Sequence, residues 1–316
     1  PFGLSGEPTL RDLLRSELFG AMFQGFPPER TWGFLSALAG SPRFRDLRVR
    51  WPEGMLDEGR GEQFAALTVS CEGHFDYVAF RGTDGSVAGW RENFMMAYRW
   101  PVPSQADAVR YLETVGAKTK GPLYVGGHSK GGNLAVFAAA RSTPDIQHRI
   151  LEVYNNDGPG FRTSLLPLPE HKRVAGRIVT IIPESSVVGI LLEHEERCEV
   201  VRSTQIGLMQ HDGFSWQVRG ERFEHLPEGG KLVDETLRAF IVSLSDEHRV
   251  AFIDALFDIL TCTDADTLTD LKEGGLRTAA AMVKKYRTLD KDTRQALGST
   301  LRLFMKAGAK TAASEL

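Results

Sequence analysis

The amino-acid sequence predicts an α/β protein whose mostly parallel central sheet is flanked by helices. Between about residues 60 and 220, short apolar runs of strand length alternate with predicted helices. Runs at residues 123–125, 150–154 and 177–182 follow this alternation, which favours a parallel sheet with right-handed crossovers. The composition, with 42% apolar and 25% charged residues, is that of an ordinary globular protein.

The N-terminal segment predicts helices before the sheet begins. Residues 9–23 have a leucine-rich face and a threonine, Thr9, in position to cap a helix. Residues 32–39 predict a second, shorter helix. The stretch 41–61 is rich in proline, glycine and charge, which predicts irregular structure.

The predicted sheet starts with a hairpin. Residues 64–70 and 75–80 read as strands joined by a tight turn at Glu72 and Gly73, so this part of the sheet is expected to be antiparallel. A helix is predicted over 105–115, with Ser104 as its cap. Two further strands are predicted at residues 198–203 and 214–218.

The pattern changes after residue 230, where only amphipathic helical segments follow. We therefore expect residues 1–230 to form the α/β domain with its N-terminal helices. Residues 231–316 are expected to form a helical region that packs on that domain. A separate helical module and an oligomer contact are the alternatives for this region, and the oligomeric state stays open.

The net charge, the cysteines and the lengths of the apolar runs limit which partners, cofactors and locations we expect. A formal net charge of −3 provides no basic field for nucleic acid. Cys71, Cys198 and Cys262 are scattered, which favours neither a disulfide framework nor a zinc site, and we expect neither metal nor organic cofactor. No apolar run approaches the roughly 18 residues that span a membrane. A cytoplasmic location is expected, with a removed N-terminal signal as the alternative.

One motif, at residues 127–131, predicts a catalytic site. The sequence Gly-His-Ser-Lys-Gly at residues 127–131 matches G-x-S-x-G and lies between a predicted strand and a predicted helix rich in alanine. In α/β-hydrolases this pattern places a nucleophilic serine on a strained turn, with small residues on both sides of it. The motif therefore predicts an α/β-hydrolase fold with Ser129 as the nucleophile. A glycine-rich loop without catalytic function is the alternative.

Among the eight histidines, His211 is the best candidate for the catalytic base. Hydrolases of this fold carry their triad in the order serine, acid, histidine, and His211 lies in a loop after the candidate acids. His128 is adjacent to Ser129 in sequence but is expected to point away from it across the turn.

Two carboxylates qualify as the acid that orients His211. Asp157 follows the predicted strand at 150–154, and Glu184 follows the strand at 177–182. Asp157 is favoured because the shorter acid is the commoner partner in such triads, and Glu184 remains the alternative. The oxyanion hole is expected to use the backbone N–H groups of Lys130, directly after the nucleophile, and of Thr83, in an earlier strand-end loop.

Several motifs of this chain resemble known lipases. The segments YVAFRGTD at 77–84 and GHSKGG at 127–132 resemble class 3, fungal-type lipases. A fuller set most resembles a bacterial lipase-like family of uncharacterised proteins, and it comprises residues 127–135, 156–161, 183–189, 210–212 and 215–216.

The resemblance implies an α/β-hydrolase fold with Ser129 as nucleophile, Thr83 in the oxyanion hole and His211 as base. The chain departs from class 3 lipases at the acid. Those lipases place an aspartate after the strand that matches 178–182, where this chain has Glu184. The Asp-Gly-Pro-Gly sequence at 157–160 instead resembles the acid loop of pancreatic-type lipases.

The expected function is therefore serine-dependent hydrolysis of a carboxylic ester, with a small-molecule ester or a lipid as the substrate. Two alternatives remain from the sequence. The first alternative is a lipase-like binding protein that has lost turnover, and the second is a thioesterase or amidase with the same triad.

Overall fold

A computed structural model describes residues 6–23, 28–57, 62–83, 96, 100–161, 165–184, 186, 188–189, 192–205 and 210–226, with isolated positions between 284 and 298. The predicted helical region at 231–316 lies outside the described residues except for those isolated positions. Its boundary at residue 230 and its packing therefore remain predictions.

Within the described chain, a seven-stranded sheet has its strands in sequential order. The first three strands pair antiparallel and the remaining ones add in parallel, which confirms the predicted α/β class with a mostly parallel sheet. The strands are β1 (Arg48–Asp57), β2 (Glu62–Cys71), β3 (Phe75–Phe80), β4 (Leu123–His128), β5 (Ile150–Asn156), β6 (Ile178–Pro183) and β7 (Cys198–Val201). A separate short ribbon pairs β8 (Val218–Arg219) with β9 (Arg222–Phe223).

Helices fill the crossovers between the parallel strands from β3 to β6, and two further helices precede β1. The described helices are α1 (Phe19–Met22), α2 (Pro28–Gly40), α3 (Pro103–Lys118), α4 (Lys130–Arg141), α5 (Pro144–Arg149) and α6 (Pro169–Ala175). Because each parallel strand is added beside the previous one, right-handed crossovers bring the connecting helices α3 to α6 to the same face of the sheet. The packing agrees, since α4 contacts both α3 and α6.

Helix α4 lies at the centre of the core. All of its residues from Lys130 to Ala140 are buried, and it packs on β3, β4 and β5. The facing valines of those strands, Val78, Val125 and Val153, have no exposed surface. The many alanines and glycines of α4 match this position, because small side chains let a helix approach a sheet closely.

Two glycines allow the closest approach. A Cβ atom on Gly131 would lie 2.2 Å from the carbonyl oxygen of Phe80, and one on Gly127 would lie 2.4 Å from the carbonyl oxygen of Gly131. Both contacts are with backbone, which cannot rotate away as a side chain can. The turn between β4 and α4 therefore requires glycine at both positions.

The N-terminal prediction was wrong at two places. Residues 9–23 form short 3₁₀ turns and α1 instead of one helix, because the amides of Leu10 and Arg11 donate to carbonyls of the 45–47 segment. The predicted irregular stretch contains β1, whose pairing with β2 shifts register between Arg50 and Glu53. An edge strand with such an irregularity tolerates proline and glycine, which is why composition misled the prediction.

Two smaller predictions were also wrong. Residues 213–215 form a 3₁₀ turn in place of the predicted strand at 214–218, because the Asp212 side chain accepts a hydrogen bond of 3.0 Å from the Phe214 amide. Helix α3 starts at Pro103, so Ser104 lies inside the helix and does not cap it. The predicted hairpin of β2 and β3 is confirmed.

Across the described residues, we find no helix that combines the length and the apolar character needed to span a membrane.

We expect Gly131→Ala to destabilise the fold. Alanine favours a helix over glycine by about 1 kcal/mol, but the new methyl would meet the Phe80 carbonyl at 2.2 Å. Overpacking of this kind costs typically 1–3 kcal/mol, so we expect a net loss in the free energy of unfolding, measured by urea denaturation.

The matched control is Gly176→Ala. A Cβ at Gly176, directly after α6, meets no atom of the described chain within 4 Å. Its unfolding free energy should stay within about 0.5 kcal/mol of the wild type. A Gly131→Ala protein as stable as this control would contradict the proposed close approach.

Candidate active site

Ser129 occupies the sharp turn between β4 and α4. Its backbone has φ 58° and ψ −130°, a region that residues other than glycine rarely adopt. The Ser129 amide donates to the Asn156 carbonyl at 2.9 Å, and the Ser129 carbonyl accepts from the Gly132 amide at 2.9 Å. In the described structure its side chain does not cap α4, so the turn is held by backbone bonds and the hydroxyl is left for other contacts.

Asp157 directly follows β5, the neighbour of β4. It is fully buried and has φ 50°, which turns the chain sharply at the end of the strand. Its Oδ2 lies 2.7 Å from Nδ1 of His211. Its Oδ1 accepts hydrogen bonds from the Gly189 amide, at 3.1 Å, and from the Ser186 hydroxyl. The carboxylate is therefore fixed in orientation by groups on the loop after β6.

His211 lies in the loop after β7, with its side chain 16% exposed. Because an ionised carboxylate can only accept, Asp157 selects the form of the imidazole that carries a proton on Nδ1. That leaves the lone pair of the neutral ring on Nε2, the nitrogen that a general base uses. The structure thus brings together His211 and Asp157, the two residues that the sequence favoured as base and acid.

Glu184, the alternative acid, has a different position. It stands at the end of β6, one strand further from β4 than Asp157. Its amide donates to the Val201 carbonyl at 3.0 Å, and its side chain is partly exposed. The carboxylate in contact with His211 is that of Asp157.

His128 also contacts His211, the candidate base. Its Nε2 lies 2.7 Å from the carbonyl oxygen of His211, and the two rings lie 4.6 Å apart. Burial lowers the pKa of His128 to about 4, and the neighbouring His211 contributes in the same direction. A neutral ring has one N–H, and because a carbonyl only accepts, that proton is on Nε2. His128 therefore supports the backbone of His211, a contact that the sequence did not predict.

The loop after β3 runs along the turn at Ser129. A Cβ atom on Gly82 would lie 3.3 Å from the Cβ of Ser129 and 2.7 Å from the His128 carbonyl oxygen. Thr83 is the next residue and is partly buried. Lys130 begins α4, and backbone amides in the first turn of a helix have no acceptor within the helix. Lys130 thus directly follows the turn, and the residue before Thr83 lies against it.

The side chain of Lys130 has a separate role. It is 1% exposed, and its Nζ donates to the Oε1 of Gln63 at 3.0 Å and to the Gln63 carbonyl. These bonds tie the start of α4 to β2. The sequence motif treats this position as variable, so it carried no signal for a buried lysine.

Polar side chains also hold the loop that follows Asp157. Nδ2 of Asn133 donates to the carbonyls of Pro159 and Gly160, both at 3.0 Å. Nε2 of Gln105 in α3 donates to Oδ1 of Asn133 at 2.9 Å. Asn133 lies one helical turn after Ser129, so the same helix supports both the serine turn and the acid loop.

Among the described residues, no group of three or more histidine, cysteine, aspartate or glutamate side chains is arranged to hold a metal ion.

Residues 38–258, most of the chain, match the model of the Mbeg1-like family. The chain belongs to the Mbeg1-like family. Together with the sheet topology, this confirms the lipase-like α/β-hydrolase that the motifs indicated.

Solved lipase structures show partial similarity. The M37 lipase is 17% identical, with 58% of this chain and 70% of that chain covered and a TM-score of 0.40. A fungal lipase in complex with an inhibitor is 15% identical, with 60% and 74% covered and a TM-score of 0.38. The Rhizomucor miehei lipase with its propeptide is 15% identical, with 59% and 62% covered and a TM-score of 0.40. A search of curated protein sequences found no match.

We expect His128 to make the fold sensitive to acid. The folded state keeps this histidine neutral down to a pKa of about 4, whereas an unfolded histidine binds a proton near pH 6.5. As the pH falls below 6.5, the unfolded state therefore binds more protons, and the free energy of unfolding decreases until about pH 4. The upper limit of this loss is roughly 3 kcal/mol.

His128→Gln tests this expectation, because glutamine retains an N–H for the His211 carbonyl but does not titrate. Urea unfolding between pH 7 and 4 should show a shallower loss than the wild type, with His148→Gln, at an exposed histidine of α5, as the control. Equal acid slopes for His128→Gln and the wild type would show that other groups cause the sensitivity.

Proposed function

We propose that the protein is a serine hydrolase that cleaves a carboxylic ester through an acyl-enzyme on Ser129. The observation that carries this proposal is the 2.7 Å hydrogen bond between Asp157 and His211, formed beside a serine on a strained strand-to-helix turn. A buried carboxylate that orients a histidine is the arrangement that activates a serine hydroxyl.

In the first half of the proposed reaction, the Oγ of Ser129 attacks the ester carbonyl while Nε2 of His211 takes the hydroxyl proton. The tetrahedral intermediate collapses, the ester C–O bond breaks, and His211 returns the proton to the leaving alcohol. Asp157 remains ionised and stabilises the imidazolium. In the second half, His211 removes a proton from water, which attacks the acyl-serine. The bond between the acyl carbon and Oγ then breaks, His211 returns the proton to Ser129, and the acid is released.

The negative charge of the intermediate needs donors that are already in place. We assign this role to the backbone amide of Lys130, at the N-terminus of α4, and to Thr83 in the loop after β3. The helix N-terminus adds a favourable partial positive charge. The fixed position of Lys130, whose side chain is bonded to Gln63, supports this assignment.

We expect Ser129→Ala to abolish ester hydrolysis. Removal of a serine nucleophile lowers kcat by about 10⁶-fold in a comparable triad. The measurements are turnover of a short p-nitrophenyl ester and covalent labelling by a fluorophosphonate, with the modified residue mapped by mass spectrometry. The melting temperature should change little, because the side chain caps no helix in the described structure.

Ser16→Ala, at an exposed serine, is the matched control and should label as the wild type does. Equal labelling of the Ser129→Ala protein would remove Ser129 as nucleophile. A wild type that neither labels nor turns over would favour the lipase-like binding protein. Faster turnover of a matched thioester or amide than of the ester would favour those substrate classes.

We expect Asp157→Asn to lower kcat by about 10⁴-fold, because an amide can present its N–H to Nδ1 and so favour the wrong form of the imidazole. Glu184→Gln makes the same chemical change at the alternative acid and should cost less than about tenfold. Both are measured by ester kinetics under saturating substrate. The reverse order of the two losses would identify Glu184 as the acid.

A further inference from the structure

A second histidine–carboxylate pair lies behind the triad. Nδ1 of His194 lies 2.8 Å from Oε1 of Glu196, and the two side chains are only 6% and 2% exposed. Both residues lie between β6 and β7, on the segment that leads into β7. The proposed reaction does not use either group, so this buried pair needs its own explanation.

The carboxylate of Glu196 has several donors. It accepts hydrogen bonds from the hydroxyl of Thr180 in β6, from the amide of Glu195 at 3.1 Å, and from the ring of His194. Burial raises the pKa of the Glu196 carboxyl, but the bonds and charge of His194, together with Thr180, outweigh it and lower the pKa to about 2. Glu196 is therefore ionised near neutral pH and can only accept hydrogen bonds.

The other nitrogen of His194 points towards the loop that holds Asp157. Its Nε2 lies 2.7 Å from the carbonyl oxygen of Gly189. A carbonyl and an ionised carboxylate are both acceptors, so the ring of His194 lies between two acceptors and joins Glu196 to Gly189.

Gly189 is the link to the triad. Its amide donates to Oδ1 of Asp157 at 3.1 Å, and the other carboxylate oxygen of Asp157 receives the bond from His211. A Cβ atom on Gly189 would lie 2.4 Å from that Oδ1, so a larger residue would displace the Asp157 carboxylate. The bonds thus run without interruption from Glu196 through His194 and Gly189 to Asp157.

We propose that His194 and Glu196 are positioning residues, which fix Gly189 so that its amide holds Asp157 in the orientation that His211 requires. For its effect on turnover the inference rests on the proposed function. The hydrogen bond between Asp157 and His211 is measurable without turnover.

If His194 and Glu196 only stabilised the fold, their mutation would have a different effect. The segment that carries His194 is also held by a backbone pair between Phe161 and Glu193, with N–O distances of 2.8 and 2.9 Å. Loss of the His194 ring therefore leaves the segment attached. A structural role would lower only the free energy of unfolding, whereas a positioning role lowers kcat with KM unchanged, since the affected group acts in the chemical step.

The test compares His194→Gln and Glu196→Gln with Glu195→Gln, the same change at the exposed neighbouring residue. For the first two we expect kcat for the p-nitrophenyl ester to fall at least tenfold, with KM within twofold. We expect the control to retain wild-type kinetics. Glu196→Asp, which keeps the carboxylate, should recover part of the loss.

The second readout is the low-field proton resonance of Nδ1–H of His211, assigned by its absence from a His211→Gln protein. We expect it to shift or broaden in His194→Gln and Glu196→Gln and to stay in place in Glu195→Gln. An unchanged resonance together with less than a threefold change in kcat would overturn the positioning role.

The two readouts also separate two kinds of failure. A wild type without hydrolase activity would remove the proposed function, and the resonance would still decide whether His194 and Glu196 position Asp157. Should His194→Gln not fold, Glu196→Gln supplies the same comparison, and an unchanged resonance and kcat in that variant would count against the proposal.

Discussion

The structure depends on the close contact between helix α4 and the sheet. Backbone atoms of Phe80 and Gly131 lie where a side chain on Gly131 or Gly127 would have to be, so glycine is required there. The chain turns sharply between the strand and this helix at Ser129, whose backbone adopts a strained conformation with φ 58°. A serine held in this way projects from a rigid turn. The packing of the surrounding core compensates for the free-energy cost of the strained backbone.

Three histidines near this turn differ in what their nitrogens contact. His211 faces a carboxylate through Nδ1, which leaves Nε2 for proton transfer. His128 is partly buried beside His211 and stays neutral near neutral pH, so it serves as a single donor to the backbone of its neighbour. His194 lies between two acceptors. Burial and partners thus give the same side chain three different sets of contacts: with a carboxylate, with a backbone carbonyl, and with both at once.

Local patterns predicted much of the fold. Strands β2 to β6 and helix α4 have apolar runs or small-residue runs whose period and length identify them, and the G-x-S-x-G motif combines strand, turn and helix in a few residues. The failures were β1, the segment at 9–23 and the turn at 213–215. For β1 the edge position with its shift in register outweighed the local preference. For residues 9–23 the cause was hydrogen bonding to a distant backbone segment, and for residues 213–215 it was a side-chain cap.

The sequence by itself determined the α/β class, the family resemblance, the serine turn and the order of the candidate residues, because these depend on residue types at short spacing. It left Asp157 and Glu184 open, since both follow parallel strands and end at the same edge of the sheet. Only the tertiary structure decided which carboxylate meets His211, because that depends on which strand neighbours β4 and on the left-handed turn at Asp157. The contacts of His128, Lys130 and His194 likewise join residues far apart in the chain, and short-range patterns carry no information about them.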